Sequence, residues 1–453
     1  MDLIVTPGNP LHGMVGPGAA PALPGDKSLS HRAALFGALA QGESWIENFL
    51  VSGVTRAMLE ALSTLGVAWN LEGTTLRVQG VGIEGLKAPA APVNCGNSAT
   101  TLRLLAGALA AAGVAAELDG SAGLRSRPMR RIVAPLQAMG VPVATASGGT
   151  APLRLTTRSA GQPLAAIDYR LPVASAQVKS CLLLAALAAQ GPVTLREPGP
   201  SRDHTERMLR SMGVAVETHA PSDGELEYVT RLTPPVPPSL RPLQLNLPGD
   251  ISAAAFLIVA ALITPGSHLV LRKVGLNPSR TGVLDALRAM GGDIRITRET
   301  EEGGEPVGDL EMTSSALHGI AVSGPLVVRM IDEFPAFAVA AAYASGVTVV
   351  SDAEELRHKE SDRIAAMCRE LQCLGVQSAE TTDGFTVHGG RPILGGVVET
   401  HGDHRLAMSL AIAGLAAQAP VTVQDAEILT ESFPDFPAIL TRLGAILAFN
   451  VQR

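Results

Sequence analysis

The stretch GDKSLSHRAALFGALAQG, Gly25 to Gly42, decides how this chain is read. It has a small polar opening, a helix-length Ala/Leu run, and Gly seventeen residues after the first. The pattern returns five times. GNSATTLRLLAGALAAAG spans Gly96 to Gly113, ASAQVKSCLLLAALAAQG spans Ala174 to Gly191, and GDISAAAFLIVAALITPG spans Gly249 to Gly266. RMIDEFPAFAVAAAYASG runs from Arg329 to Gly346, and GDHRLAMSLAIAGLAAQA from Gly402 to Ala419. A repeat of this length is one supersecondary unit rather than a solenoid turn.

After each copy comes a strand-like stretch and then an amphipathic helix that ends near Gly, as at Gly66, Gly213, Gly375 and Gly444. The sequence therefore predicts six α/β modules in two sets of three. The proline-rich segment Arg231 to Gly249 marks a crossover between the sets, and Pro21 to Gly25 a second one. Residues 1–24 plus 245–453 are expected to form one domain and 25–244 the other. The short strand Leu3 to Thr6 then belongs with the C-terminal set.

Composition supports this. A chain of 453 residues exceeds one ordinary core. It is 46% apolar but only 3% aromatic, so the cores are aliphatic, and 47 Gly with 32 Pro supply many tight turns. The net charge of −7 gives no global attraction to nucleic acid or anionic membrane, so any anion site is local. The longest apolar run, Ala253 to Ile263, is far below the ~20 residues of a membrane span. No signal-like N-terminus is visible, and the four scattered cysteines point to reduced thiols in a cytoplasmic compartment.

The openings differ where a simple duplication would keep them alike. Several helix N-termini, each with unpaired N–H groups and a positive dipole end, form anion sites when gathered. Here the openings add Lys27, Ser28, Arg32, Asn97, Arg103, Ser175, Gln177, His404 and Arg405, while the second helices add Arg127, Arg202, Lys359, Glu360 and Arg363. Only five of the 35 basic residues are Lys, and two of those five, Lys27 and Lys359, sit in the most polar openings. Bland readings remain open for some residues. Glu360 and Arg363 fit an exposed i,i+3 pair, Asp332-Glu333 a helix cap, and Asp250 either a cap or a ligand contact. Asp26 reads as an N-cap, and His31 and His358 as solvent-facing or supporting residues.

The segments PGDKSLSHRAALFGALA, NCGNSATTLRLLAG, GLRSRPMRRIVAPL, ASAQVKSCLLLA, SRDHTERM, DEFPAFAVAA, HKESDRIAAM and GDHRLAMSLAI, in this order from residue 24 to about 437, resemble the 5-enolpyruvylshikimate-3-phosphate synthase family. The forms NSATT and SAQVKS are similar to its class II branch, and Ala99 to its glyphosate-tolerant members. The resemblance implies a two-domain enolpyruvyl transferase fold, each domain an inside-out α/β barrel of three βαβαββ units closing over substrates. It implies small-molecule substrates, shikimate-3-phosphate and phosphoenolpyruvate, with no cofactor, metal, nucleic acid or membrane partner; a monomer is expected.

By the same resemblance Ser28 and Arg32 hold the shikimate carboxylate, and Ser175 with Ser201 or Arg202 holds its phosphate, Lys359 lying nearby. Asp332 holds the ring hydroxyls and acts as base. Lys27 binds both substrates and transfers protons, and Glu360 is the other acid/base group. Arg127, Gln177, Arg363 and Arg405 clamp phosphoenolpyruvate in a pocket lined by Asn97, Ala99 and His404. One departure stands out: Glu431 occupies a position where many members carry a phosphoenolpyruvate-binding Lys. The rival reading is the sister transferase acting on a UDP-amino sugar. It typically has Lys-Asn at the first opening and a loop Cys, whereas this chain has Lys27-Ser28 and no Cys in Asp119 to Arg131. A nonenzymatic anion-binding relative is the second alternative.

Overall fold

The computed structural model describes residues 1–17, 22–158, 162–221 and 227–450. Among the described residues there are six four-stranded sheets, all with one strand order. The second module shows the plan. Val93–Asn94 lies parallel to Ala116–Asp119, which is antiparallel to Leu153–Leu155, which in turn is antiparallel to Val143–Thr145. Helix Ala99–Ala112 joins the parallel pair, because parallel neighbours need a long crossover. Helix Arg130–Ala138 follows, before the closing hairpin. This is a βαβαββ unit, and it repeats in every module.

Two compact units result. One holds Met1–Pro24, Pro248–Glu301 and Pro306–Arg453; the other holds Gly25–Leu247 and Glu302–Glu305. Strand Asp2–Thr6 pairs with Val421–Val423 and Ile446–Asn450, so the N-terminus does complete a C-terminal sheet. The division falls at Leu247/Pro248 rather than at 244/245. Strand Gln244–Asn246 lies parallel to Gln41–Glu47 and so supplies the edge strand that the first module lacks before its helix. Likewise His12–Val15 gives the fourth module its edge beside His268–Gly275. The crossing expected at Pro21 to Gly25 begins outside the described residues; the unit boundary lies at its end, Pro24/Gly25.

Each unit is turned inside out, with helices as the core. Ala99–Ala112 packs on both Lys27–Leu39 and Ala176–Ala186, and Phe334–Tyr343 packs on Ile251–Ile263 and His404–Ala413. All thirteen residues of Ile251–Ile263 are buried, as an all-round apolar helix requires. Close approach sets residue size: a Cβ on Gly107 would strike the Cys181 carbonyl. Truncating a core side chain such as Phe337 to Ala would cost about 3–5 kcal/mol.

The second helices are amphipathic. His204–Ser211 buries Met208 and Leu209 and exposes Ser211. The glycines ending four of them, Gly66, Gly213, Gly375 and Gly444, have φ of 87°, 97°, 83° and 117°. That left-handed region is one a side chain would strain.

Candidate active site

In the unit containing the C-terminal half, everything turns on Arg363. It opens helix Arg363–Cys373 behind the N-cap Asp362, whose carboxylate accepts the Ala365 N–H. The Arg363 side chain is buried and its guanidinium meets three acids. Nε donates to Asp403 Oδ2 at 2.7 Å, Nη2 to Glu360 Oε2 at 2.7 Å and Nη1 to Asp332 Oδ1 at 3.4 Å. Lys359 Nζ lies 3.6 Å from Asp332 Oδ1, and Arg405 Nη1 donates to the Asp332 carbonyl at 3.1 Å. Asp403 also caps the sixth opening helix by accepting the Arg405 N–H at 2.9 Å.

Burial works against the charge on Arg363, but Asp403, Glu360 and Asp332 more than reverse it and raise its pKa. Burial works against the Asp403 charge too, and Arg363 holds that carboxyl below the usual range. The sequence-predicted Asp332, Lys359, Glu360, Arg363, His404 and Arg405 are thus gathered at three neighbouring loops. The exposed-pair reading of Glu360 and Arg363 does not hold, because Arg363 is fully buried. Glu431, the departure from the family pattern, places Oε2 3.5 Å from His404 Nδ1.

The other unit builds its cluster from hydroxyls and buried ions. Asp26 caps the first opening helix through the Leu29 N–H, as expected. Arg32 is buried: Nη1 donates to the Ser28 carbonyl at 3.0 Å, Nε to Thr205 Oγ1 at 2.8 Å and Nη2 to Ser180 Oγ at 2.8 Å. Desolvation pushes its pKa down to about 10, although Glu206 works the other way. Gln177 accepts from Arg103 and donates to Thr100 Oγ1 at 2.8 Å. Asn97 Oδ1 accepts from Ser121 at 2.8 Å, and Ala99 begins its helix with its side chain buried. Lys27, Ser28, Arg127, Ser175 and Arg202 are partly buried in the same unit, and Ser201 is buried.

Of the two readings open for His31, solvent-facing or supporting, the structure gives the second, for the side chain is buried. Nδ1 lies 2.8 Å from the Lys27 carbonyl and Nε2 3.2 Å from Ser98 Oγ. A carbonyl only accepts, so Nδ1 carries the proton and Nε2 accepts from Ser98. Burial drives its pKa down to about 4, keeping the ring neutral. His358 is exposed, as read.

Asp250 turns out to be both cap and ion partner. It accepts the Ser252 N–H at 2.8 Å and an N–H of the buried Arg280 at 3.0 Å.

Sequence reasoning passed over Lys179, Glu197, Glu206, Arg280 and Asp403, all buried. A charged residue inside an Ala/Leu helix, as in QVKSCLLLA, was the available signal for Lys179. Among the described residues one His/Glu group, Glu370, Glu399 and His401, has ligand atoms within 4.8 Å of each other. Hydrogen bonds account for it: Glu370 accepts from His401 Nε2 at 2.7 Å and from the Glu399 N–H at 2.9 Å. No helix among the described residues is long and apolar enough to cross a membrane.

The family profile of EPSP synthase (3-phosphoshikimate 1-carboxyvinyltransferase) matches residues 5–440. The chain belongs to the EPSP synthase family. It is 48% identical to the 3-phosphoshikimate 1-carboxyvinyltransferase of Roseiflexus sp. over 97% of this chain and 98% of that one. The protein of that name from Xanthomonas axonopodis pv. citri is 49% identical over 93% of each chain. Among solved structures, EPSP synthase from Acinetobacter baumannii superposes with a TM-score of 0.86 at 41% identity, covering 99% of this chain and 100% of that one. The enolpyruvyl transferase NikO from Streptomyces tendae, 20% identical with a TM-score of 0.78 over 99% and 98% of the two chains, shares the fold. The two-unit α/β architecture of four-stranded mixed sheets is therefore that of the EPSP synthases and enolpyruvyl transferases.

Proposed function

We propose that this transferase moves the enolpyruvyl group of phosphoenolpyruvate to the 5-hydroxyl of shikimate-3-phosphate and releases phosphate. The observation that carries the reading is family membership along nearly the whole chain, residues 5–440. In the addition step the substrate hydroxyl oxygen bonds to C2 of phosphoenolpyruvate, loses its proton, and C3 gains one. In the elimination step C3 loses a proton, the C2–O bond to phosphate breaks, and the double bond reforms. Acid/base groups and a cationic cradle suffice for both steps.

Asp332 is the base toward the attacking hydroxyl, with Lys359 and Arg363 beside its carboxylate. Glu360 and Lys27 exchange protons with the intermediate. Ser28 and Arg32 bind the shikimate carboxylate, and Ser175, Ser201, Arg202 and Lys359 its phosphate. Arg127, Gln177, Arg363 and Arg405 bind phosphoenolpyruvate, with Asn97, Ala99 and His404 lining that pocket. The same reading makes the chain a cytoplasmic monomer, in keeping with its free cysteines. The test is phosphate release with shikimate-3-phosphate and phosphoenolpyruvate, each omitted in turn. Release that does not require both substrates ends the proposal, and so does no release at all.

The class II, glyphosate-tolerant subtype is part of the proposal. Glyphosate is longer than phosphoenolpyruvate and needs room beside Asn97 to Thr100. The Ala99 Cβ stands where sensitive members usually have Gly, and Glu431 removes a cation near His404.

A further inference from the structure

Lys179 is buried in the opening helix Ala176–Ala186. Its ammonium lies 2.7 Å from Glu197 Oε2 and 2.8 Å from Glu206 Oε1, and both carboxylates are buried. Burial opposes the charge on Lys179, but Glu206 and Glu197 outweigh it and raise its pKa. The neighbours of this pair in sequence, Ser180 and Thr205, bond to each other at 2.6 Å and accept from Arg32. Two basic side chains and two carboxyl groups thus form a buried spine, in which burial raises the Glu206 pKa and Lys179 works against that rise. Replacing such ions with apolar side chains of equal volume is often neutral or stabilising, so stability alone does not account for them.

What the spine does is hold one helix start and two loops by their backbones. Arg32 donates to the Ser28 carbonyl at 3.0 Å, Lys179 donates to the Ser201 carbonyl at 3.4 Å, and Glu197 Oε1 accepts the Ser175 N–H at 3.2 Å. Ser28, Ser175 and Ser201 are the three hydroxyls that the proposed function assigns to the two anionic groups of shikimate-3-phosphate. Ser201 Oγ is itself buried without a hydrogen-bond partner, although Ser201 is held at its carbonyl. A buried hydroxyl left unbonded has unused hydrogen-bonding capacity for an incoming acceptor.

We infer that Lys179, with Glu197 and Glu206, is a positioning residue for the phosphate end of the substrate, fixing Ser175 and Ser201 without touching the ligand. The polar atoms of Lys179 and Glu197 are turned to each other and to backbone, so the spine acts through geometry. The inference rests on the proposed function and makes a separate demand. Loss of the spine weakens binding in proportion to the phosphate contacts and spares the rest.

Lys179→Met alone leaves two buried carboxylates without their cation and can fail to fold. The test therefore uses Lys179→Met/Glu197→Gln/Glu206→Gln, which removes the cation together with both of its carboxylates, with Glu197→Gln as a second variant. Calorimetric titration is run with shikimate-3-phosphate and with shikimate, which lacks the phosphate, alongside the KM for phosphoenolpyruvate. We expect shikimate-3-phosphate affinity to fall at least about tenfold, as for loss of one or more hydrogen bonds to a charged group. Shikimate affinity and the phosphoenolpyruvate KM should stay within about twofold on the same scale. A folded variant with unchanged shikimate-3-phosphate affinity overturns the inference, and so does an equal loss for all three ligands. Wild-type protein that fails to bind shikimate-3-phosphate would instead sink the function itself, and that is read directly from the wild-type titration.

Discussion

The two units present the same fold with opposite chemistry at their openings. Around Arg363 three carboxylates, Asp332, Glu360 and Asp403, crowd one guanidinium, and two of them reach beyond the buried core. Around Arg32 and Lys179 the charged groups are buried, and the partly exposed side chains at the openings of that unit include Lys27, Ser28, Ser175 and Arg202. One βαβαββ plan thus supplies the carboxylate acid/base groups in one unit, and fixed hydrogen-bond partners together with Lys27 in the other. The fold provides helix starts; the residues at those starts decide the task.

The largest expected effect is on the acid-rich side. Arg363→Ala leaves Asp403 buried without its partner and should cost about 3–5 kcal/mol of stability. Denaturant unfolding of the variant measures it, and a loss under 1 kcal/mol would mean Asp403 readily finds another cation or a proton.

Asp332→Asn and Glu360→Gln keep shape and remove proton transfer. Each should lower kcat by roughly 10²-fold or more. A Glu360→Gln enzyme at near-normal kcat would break the proposed division of labour.

Ala99→Gly tests the hydroxyl-rich side. Crowding by one Cβ in a packed pocket is worth on the order of 1–3 kcal/mol, roughly tenfold to a hundredfold in affinity. The glyphosate inhibition constant should drop at least about tenfold in Ala99→Gly on that scale, with a much smaller change in the phosphoenolpyruvate KM. Equal inhibition constants in paired curves would move attention to Glu431.

Acid separates the two clusters. His31 has its folded pKa lowered from 6.5 to about 4. The unfolded chain therefore binds the proton first, and stability from the neutral ring is full above 6.5 and is lost as pH falls toward 4. The loss is at most about 3 kcal/mol. Asp403, also lowered, keeps its contribution above its ordinary 3.8 and loses it only below that. Unfolding curves from pH 7 to 4.5 should show a decline in wild type that His31→Gln lacks; parallel slopes would refute the assignment. The smallest expected effect is none: turnover should survive exhaustive chelation with EDTA, and activity restored only by a divalent ion would contradict the metal-free chemistry.

The recurring opening pattern predicts six modules, and the proline-rich segment Arg231 to Gly249 their division into two sets, because each opening helix is largely apolar and each second helix only on one face. Family motifs pointed to Asp332, Glu360 and Arg363 as a group. Local sequence reads helices and caps such as Asp26 well, since the capping contact spans three residues. It could not show that Gln244–Asn246 completes the first module's sheet, a pairing across about two hundred residues. Nor could it show that His31 is buried, because its partner Ser98 comes from another module. Lys179 was equally out of reach: a lysine in an apolar helix is an anomaly until Glu197 and Glu206, on later elements, are brought to within 2.8 Å of it. The sequence by itself determined the modules, their order and the residues at each opening, because those depend on near neighbours. Which charges meet was decided only in the tertiary structure, because a buried ion is tolerated only where distant chain supplies its partner.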